Sequence, residues 1–467
     1  MLWLHIDRSL DISLKKQVYE QIRTRILQGE LTAGYRLPAS RELAIQLNLS
    51  RNVVIEAYEQ LLAEGYVKGR QGSGTYVAPG AYLERDLKEQ PSSFLETHRD
   101  EEKEKDEIDF RSGIPALNHF PKKKWGKLSK QVCEEASNAD FGYDNPEGRS
   151  EFRHVLSRYL KRTRGVHCHP DQLIITSGAT QGFSLIANLL LSPDDRVIIE
   201  DPITHEIQTI FSSSGATLYP VPVDEDGMRT DLIPVDKKPG FVFVTSSHQF
   251  PLGGILPIQR RIQLIQLARK LDTYIVEDDY DSEFRYDGEP IHSLQGLDPE
   301  RVVYVGTFSK ILSPSLRLGY LILPPVLTQQ CRELKWFFDL HAPSLEQMTL
   351  SRFIHNGSLD HHIQKMRKLY VKRRKILKVC LKEEFGDRVS ISGDSTGLHL
   401  IVEFKDVQFD EGMLSHISRY KVKVYPVELH SIQKGFHRKK LILGYGNLNE
   451  EQIREGICRL GQALHRL

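Results

Sequence analysis

The chain has 467 residues and a formal net charge of +1, and its length suffices for two or three domains with a large core. That charge balance excludes a global pull toward nucleic acid or membrane, so any such site must be local. Hydrophobic residues make up 40% and charged residues 27%, the mix of a soluble globular protein.

The five cysteines, Cys133, Cys168, Cys331, Cys380 and Cys458, lie far apart with no C-x-x-C pair. That spacing argues against a disulfide framework or a structural zinc and fits a reducing cytosol. The opening run Met1 to Arg8 is too short and too soon charged for a signal peptide. No apolar run approaches the roughly 20 residues of a membrane helix. A cytoplasmic protein without a membrane partner is expected.

Leu14, Val18, Ile22 and Ile26 recur every fourth residue and predict a helix that Gly29 ends. Ser40 is expected to cap a second helix with Leu43, Ala44 and Leu47 on its apolar face. Ser50 is expected to cap a third, which runs through Val53, Val54, Ala57, Tyr58, Leu61 and Leu62 to Gly65. Two short helices joined at such a turn make a helix-turn-helix, with Ser50, Arg51 and Asn52 placed to reach base edges and phosphates. Tyr66 to Val77 alternates around a Gly-rich tip, a two-stranded wing that carries Lys68 and Arg70 for backbone phosphates. On these residues alone, a small helical scaffold that binds no DNA stays open.

The run L-P-x-S-R-E-L-A, then L-x-x-S-R-N-x-V-x-x-A-Y-x-x-L-x-x-E-G-Y, then G-x-G-T-Y-V, resembles the winged helix of GntR-type bacterial repressors. The resemblance implies a DNA-binding domain over residues 1–77. Arg41, Ser50, Arg51, Asn52, Lys68, Arg70, Gln71 and Gly72 would then contact double-stranded operator DNA. Asn52 stands where members commonly carry Thr, which bears on the operator sequence rather than on binding.

Residues 78–107 hold few apolar side chains and end in the mixed charge run Arg99 to Glu107. Such a stretch cannot offset its ordering entropy by burial and is expected to be a flexible linker.

From Ile108 onward, Gly- and Pro-punctuated strands alternate with helical patterns, which predicts an α/β fold with a mostly parallel sheet over 108–467. Five stations along it carry chemistry. The first, Phe141 to Gly148, is a turn that presents Tyr143; an ordinary packed tyrosine is the alternative. In the second, the strand Leu173 to Thr176 runs into Ser177-Gly178-Ala179-Thr180, whose small residues let free N–H groups and a helix dipole hold a phosphate. A plain strand-to-helix turn would look the same. The third, Phe241 to Thr245, ends in Ser246-Ser247-His248-Gln249-Phe250-Pro251, a polar loop at the sheet edge where open α/β folds bind ligands, or a structural turn.

The fourth, Tyr274 to Phe284, runs into the acidic cluster Glu277, Asp278, Asp279, Asp281 and Glu283. Like charges raise one another's pKa unless a cation offsets them. A pyridinium nitrogen is one such cation; a metal is disfavoured because no His sits at ligand spacing. In the fifth, the β-branched run Val302 to Val305 precedes Thr307, Ser309, Lys310 and Arg317, and Leu318 to Leu323 returns into the sheet. A lysine just beyond a buried strand, beside hydroxyls and an arginine, is a candidate for Schiff-base chemistry with pyridoxal phosphate. A solvated surface lysine is the bland alternative.

The phrase S-K-x-x-x-P-x-x-R-x-G, with the phosphate turn, polar loop and Asp before it, resembles fold-type I aminotransferases. That resemblance implies pyridoxal phosphate, with Lys310 as the aldimine lysine and Arg317, Gly178, Ala179 and Thr180 on the phosphate. Asp278 would pair with the pyridine N–H and Tyr280 with the phenolic oxygen. His248, Gln249, Thr307 and Ser309 would line the cofactor, and Tyr143 would reach the phosphate of a second subunit. Winged helix, linker and aminotransferase-like domain, with S-H-Q-F-P and E-D-D-Y-D-S-E-F-R-Y, resemble the MocR/GabR subfamily of GntR regulators. The fold expected from it is a winged helix-turn-helix plus a large α/β domain and a smaller C-terminal α+β part. The implied assembly is a homodimer with each winged helix packed on the partner subunit.

Two positions depart from the pattern. Ile203-Thr204-His205 lacks the tyrosine that usually stacks on the cofactor ring, leaving His205 as its substitute. Ile442 stands where related enzymes place the arginine that forks onto a substrate carboxylate. Arg438, Lys439, Lys440, His430 and His437 are candidates for a different anion site, against a solvated basic surface. The expected function is a pyridoxal-phosphate-dependent transcriptional regulator that senses an amine, an amino acid or the cofactor itself through the Lys310 aldimine. Vestigial transamination is compatible with it. A working aminotransferase with an accessory DNA module is the rival, and a large domain serving only dimerisation is the third reading.

Overall fold

The computed structural model describes residues 4–70, 73–82 and 106–465. The expected DNA contacts Gln71 and Gly72, and residues 83–105 of the expected linker, lie outside the described residues. The chain divides into two compact units, Met1–Glu102 and Lys103–Leu467.

In the first unit, α1 (Leu14–Leu27) buries Val18, Ile22 and Ile26, and its cap Ser13 accepts from the Lys16 N–H at 3.4 Å. In α2 (Ser40–Leu47) the cap falls one residue earlier than expected. The Ala39 carbonyl already accepts from the Leu43 N–H at 2.9 Å, so Ser40 is the first helical residue and caps nothing. Asn48, left-handed at φ 52 and ψ 47, makes the tight break after α2. Ser50 holds the cap position of α3 (Arg51–Ala63), but its hydroxyl makes no capping bond. The wing follows as β1 (Val67–Arg70) antiparallel to β2 (Gly74–Val77), with Val67 opposite Val77. Leu43, Val54, Leu61, Val67 and Val77 join the α1 residues in one core.

The second unit opens with β3 (Ile108–Asp109), α4 (Lys122–Glu135) and α5 (Ser150–Arg164). Strands and helices then alternate through β4 (Leu173–Thr176), α6 (Ala179–Leu190), β5 (Arg196–Asp201) and α7 (His205–Ser212). Next come β6 (Thr217–Asp224), β7 (Gly227–Met228), β8 (Phe241–Val244), α8 (Ile258–Lys270) and β9 (Tyr274–Asp279). The hairpin of β10 (Val302–Thr307) and β11 (Gly319–Ile322) leads to α9 (Pro325–Asp339), α10 (Ser344–His355) and α11 (Ser358–Phe385). The C-terminal part holds β12 (Val389–Ser392), β13 (His399–Phe404), α12 (Glu411–Ser418) and β14 (Val422–Lys423). It ends with β15 (Tyr425–Pro426), β16 (Lys440–Gly444) and α13 (Glu450–His465).

The large sheet has the order β4-β11-β10-β9-β8-β5-β6-β7. It is the expected mostly parallel sheet, with β11 and β7 reversed. β11 returns through residues 308–318 without a long crossover, and a connection that short permits only an antiparallel neighbour. Along β8, Phe241 and Phe243 enter one core cluster while Val242 and Val244 enter another, so both faces are covered. The C-terminal part folds around an antiparallel sheet in the order β12-β13-β16-β15. Among the described residues, no helix is long and apolar enough to cross a membrane.

Candidate functional site

β4, β5, β8, β9 and β10 run in the same direction, so the loops that follow them gather at one edge of the sheet. Gly178 caps α6 at φ 89, and a Cβ placed there would stand 2.7 Å from Arg317 Nη2. Only glycine leaves the guanidinium room over the start of the helix. Arg317 Nη2 donates to the Ser177 carbonyl at 2.7 Å, and the Gln181 amide oxygen accepts from the Ser177 N–H at 2.8 Å. A guanidinium beside the positive end of a twelve-residue helix that opens with Ala179 and Thr180 suits a phosphate. At the end of β10, Thr307 Oγ1 donates to Ser309 Oγ at 3.0 Å and accepts from the Ser309 N–H at 3.2 Å.

The acidic cluster resolves into separately partnered carboxylates. Glu277 accepts from Ser246 Oγ and from the Leu294 and Gln295 N–H groups at 2.8 and 2.9 Å. Asp279 pairs with the buried Arg164, whose Nε donates to it at 2.8 Å, and accepts from the Tyr304 hydroxyl at 2.5 Å. Asp281 accepts from His248 Nδ1 at 3.0 and 3.1 Å. Burial opposes the charged imidazolium, but Asp281 outweighs it and raises the His248 pKa.

Asp278 is left without a hydrogen bond among the described residues, and its Oδ1 is buried. Burial, then Asp279, Asp281 and Glu200, push its pKa well above the usual carboxylate range. Glu200, buried on β5, is itself pushed up to about 7 by burial, against bonds from Thr245. An orphaned buried carboxyl is costly, and a ring N–H is the kind of donor that would satisfy it.

Lys310 follows β10, and its Nζ donates to the Gly113 carbonyl at 2.8 Å. Burial lowers its pKa, while Asp281 and Asp278 oppose that shift and Arg111 adds to it. The amine is thus held short of a solvated lysine's basicity, as nucleophilic addition requires. The Tyr280 hydroxyl lies 3.1 Å from His248 Nδ1, and the two rings stack with centroids 5.8 Å apart. With Asp281 holding a proton on Nδ1, Tyr280 can only accept from His248, and its own O–H stays free to donate.

The remaining expected residues are placed differently. Gln249 is fully buried and spends its amide on the chain itself. Its Nε2 donates to the Pro202 and Phe250 carbonyls at 2.8 and 2.6 Å, and its Oε1 accepts from the Leu252 N–H at 3.0 Å. His205 is exposed in the first turn of α7, with Nδ1 3.3 Å from Thr209 Oγ1. Tyr143 is 82% exposed and touches His341 edge-on, which removes the packed-tyrosine alternative within this chain. Ile442 is fully buried on β16 opposite Ile401 and Tyr425. Sequence reasoning missed Arg164, Tyr304 and Arg111. Arg164 meets Asp279 from a distant helix, Tyr304 meets it from the neighbouring strand, and Arg111 acts on Lys310 from far upstream. No local pattern announces such pairs.

In the first unit, Arg41, Ser50, Arg51 and Asn52 are exposed around the α2–α3 turn. Arg41, Arg51, Asn52 and Lys68 make no side-chain hydrogen bond or ion pair among the described residues, and Lys68 and Arg70 stand exposed on β1. Arg70 lies over the Tyr76 ring at 5.1 Å. Unpaired donors on a helix-turn-helix and its wing are what phosphate and base contacts need.

Fold and site together define a DNA-binding module joined to an aminotransferase-type unit whose residues fit pyridoxal phosphate. Residues 105–456 match the model of aminotransferase class I and II, and residues 14–77 match that of bacterial regulatory proteins of the gntR family. The HTH-type transcriptional regulator YdeL of Bacillus subtilis is 36% identical, across 98% of this chain and 98% of its own length. The probable rhizopine catabolism regulatory protein MocR of Rhizobium meliloti is 34% identical, across 98% and 95%. Among solved structures, the α-aminoadipate aminotransferase LysN of Thermus thermophilus, complexed with N-(5'-phosphopyridoxyl)-L-leucine, is 26% identical. It matches with a TM-score of 0.71 over 78% of this chain and 93% of its own. The chain belongs to the MocR/GabR subfamily of GntR-type regulators. It is a pyridoxal-phosphate-dependent transcriptional regulator with an N-terminal DNA-binding domain.

Proposed function

We propose that this regulator senses a primary amine, an amino acid or pyridoxal phosphate itself at Lys310, acting as a cytoplasmic homodimer on two operator half-sites. One observation carries the reading: the buried Lys310 amine and the orphaned Asp278 carboxyl suit the cofactor, while a buried Ile442 stands where the family resemblance puts a substrate-binding arginine. Lys310 and Asp278 would hold the cofactor's two reactive ends, and Arg317 with the Gly178 turn its phosphate. When bound, pyridoxal phosphate supplies an aldehyde that condenses reversibly with primary amines.

The chain's own part is to hold the Lys310 amine below a solvated lysine's basicity and to receive it on the Gly113 carbonyl when it is free. A ligand that binds the freed-lysine state more tightly than the bonded state shifts the equilibrium between them, and with it operator affinity. Tyr143, left bare on a single chain, supports a second subunit that covers it.

Operator affinity of Lys310→Ala and of cofactor-stripped protein tests this. Both are expected to differ from the holo-protein, and unchanged affinity in both overturns the proposal. Lys310, Asp278 and Arg317 also suit a second reading, a working aminotransferase. Repeated turnover of an amino donor and a keto acceptor would establish it in place of the sensor.

A further inference from the structure

We propose that Arg111 holds a carboxylate of the effector, so that the sensed molecule is an amino acid rather than a simple amine. This rests on the sensor reading above. The segment that carries Arg111 runs between the two places that matter. At one end, the Gly444 N–H of β16 donates to the Phe110 carbonyl at 2.8 Å. Gly444 packs so closely on the next peptide that a Cβ there would stand 2.3 Å from the Arg111 carbonyl oxygen. This contact lies two residues beyond Ile442 on the same strand. At the other end, the Gly113 carbonyl accepts from Lys310 Nζ at 2.8 Å. Arg111 therefore stands on the backbone that joins the vacated arginine position to the reactive amine.

Its base is fixed. The Arg111 N–H donates to Asp109 Oδ1 at 2.9 Å, the same oxygen accepts from the Tyr425 hydroxyl at 2.9 Å, and Tyr425 is the register partner of Ile442. Its head is not. Arg111 is exposed, and its guanidinium makes no hydrogen bond or ion pair among the described residues. Its charge is felt at Lys310, whose ammonium form it disfavours, and at Tyr425, so both lie within its electrostatic reach. Glu206 of α7 is also felt at Lys310, yet it forms no ion pair with Arg111. A free planar fork at that spot matches a carboxylate carried a few bonds from a primary amine.

Of the other candidate cations near the C-terminus, Arg438 is exposed and makes no side-chain hydrogen bond or ion pair among the described residues, so Arg438→Gln is the control for the test below; the remaining four are engaged or poorly suited. Lys439 Nζ donates to the Lys405 carbonyl at 2.7 Å, and Lys440 faces Glu403 at 4.0 Å. Burial lowers the pKa of both His430 and His437, which leaves them poor anchors for an anion.

The test titrates holo-protein with L-alanine, β-alanine and L-phenylalanine, each against ethylamine or phenethylamine, the amines left when the carboxylate is removed. The readouts are the absorption band of the bound cofactor and operator affinity. In wild-type protein at least one amino acid is expected to act at a tenfold or more lower concentration than its amine. Arg111→Gln is expected to erase that preference, and Arg111→Lys to restore part of it. An unchanged preference in Arg111→Gln, or no preference in wild type, overturns the assignment. Equal loss of the amine response in Arg111→Gln also overturns it, because Arg111 would then be a general support of Lys310. If none of these amines or amino acids moves the band of wild-type protein, this inference falls, while the sensor reading stands or falls separately on the operator affinity of Lys310→Ala and of cofactor-stripped protein.

Discussion

Asp278→Asn keeps the size of the side chain and removes its capacity to carry charge. In the holo-protein it would replace a charge-assisted hydrogen bond to the ring nitrogen by a neutral one. Bonds to charged groups contribute about 1.5–3 kcal/mol and neutral ones about 0.5–1.5, so the expected loss is about 1–2 kcal/mol, or about five- to thirtyfold in cofactor affinity. Without cofactor the sign reverses. The folded-state pKa of Asp278 is raised, first by burial and then by Asp279, Asp281 and Glu200. A raised carboxyl costs stability that is absent below the unfolded pKa of about 3.9 and grows as pH climbs toward the folded value. Cofactor-free Asp278→Asn is therefore expected to melt at or above the wild-type temperature at about pH 8, and to match it near pH 4. Absorption titration with pyridoxal phosphate and thermal melting of the stripped proteins measure the two effects. Affinity within twofold of wild type, or a lower melting temperature for stripped Asp278→Asn at the higher pH, would refute the reasoning.

Removing Arg164 as Arg164→Ala leaves the buried Asp279 with the Tyr304 hydroxyl and no cation. Breaking such a pair costs about 3–5 kcal/mol. For the unit Lys103–Leu467 that corresponds to a fall of roughly 4–7 °C in its calorimetric transition, and a fall under a degree would count against the pair. His248 has its pKa raised by Asp281, so the stability it adds is complete below about pH 6.5 and is lost as pH rises through the folded value. Tyr280 and His399 are the other titratable rings that face it. Urea denaturation should show the advantage of wild type over Asp281→Asn shrinking as the pH is raised; a gap that widens would contradict the pairing. Lys68→Ala and Arg70→Ala should each reduce the salt slope of operator binding by about 0.9, as loss of one phosphate contact predicts, and unchanged slopes would take the wing off the DNA.

Where a residue's role follows from its neighbours in the chain, the sequence is a good guide. The run Val302 to Val305 reads as a buried strand because its β-branched side chains fill both faces of the sheet, and it does so here. The α1 spacing of four translates directly into a buried face, and the wing stretch into a paired hairpin that buries only Val67 and Val77. Direction is harder to read. An apolar run such as Leu318 to Leu323 looks the same in a parallel or an antiparallel neighbour, and only the length of its connection decides. Ser40 misleads because a cap is defined by which carbonyl accepts the first helical bond, and Ala39 gets there first. Gln249 shows the limit for polar loop residues: an amide beside a ligand and an amide that ties its own loop are identical on paper. The crowded carboxylates after β9 are intelligible only once Arg164, Ser246 and His248 are seen to serve different members of the cluster.

The loop between β10 and β11 carries both Lys310 and Arg317, and it is shut at its base. Thr307 stands opposite Gly319, the Phe308 N–H donates to the Leu318 carbonyl at 3.0 Å, and Ile311, Leu312 and Leu318 are rooted in the core. A lysine released from its bond cannot wander from a ring closed in this way, so its local concentration at the site stays high. In the proposed sensor the return reaction is intramolecular and always waiting. The switch would then have no memory, and the operator would report only how much ligand is present now.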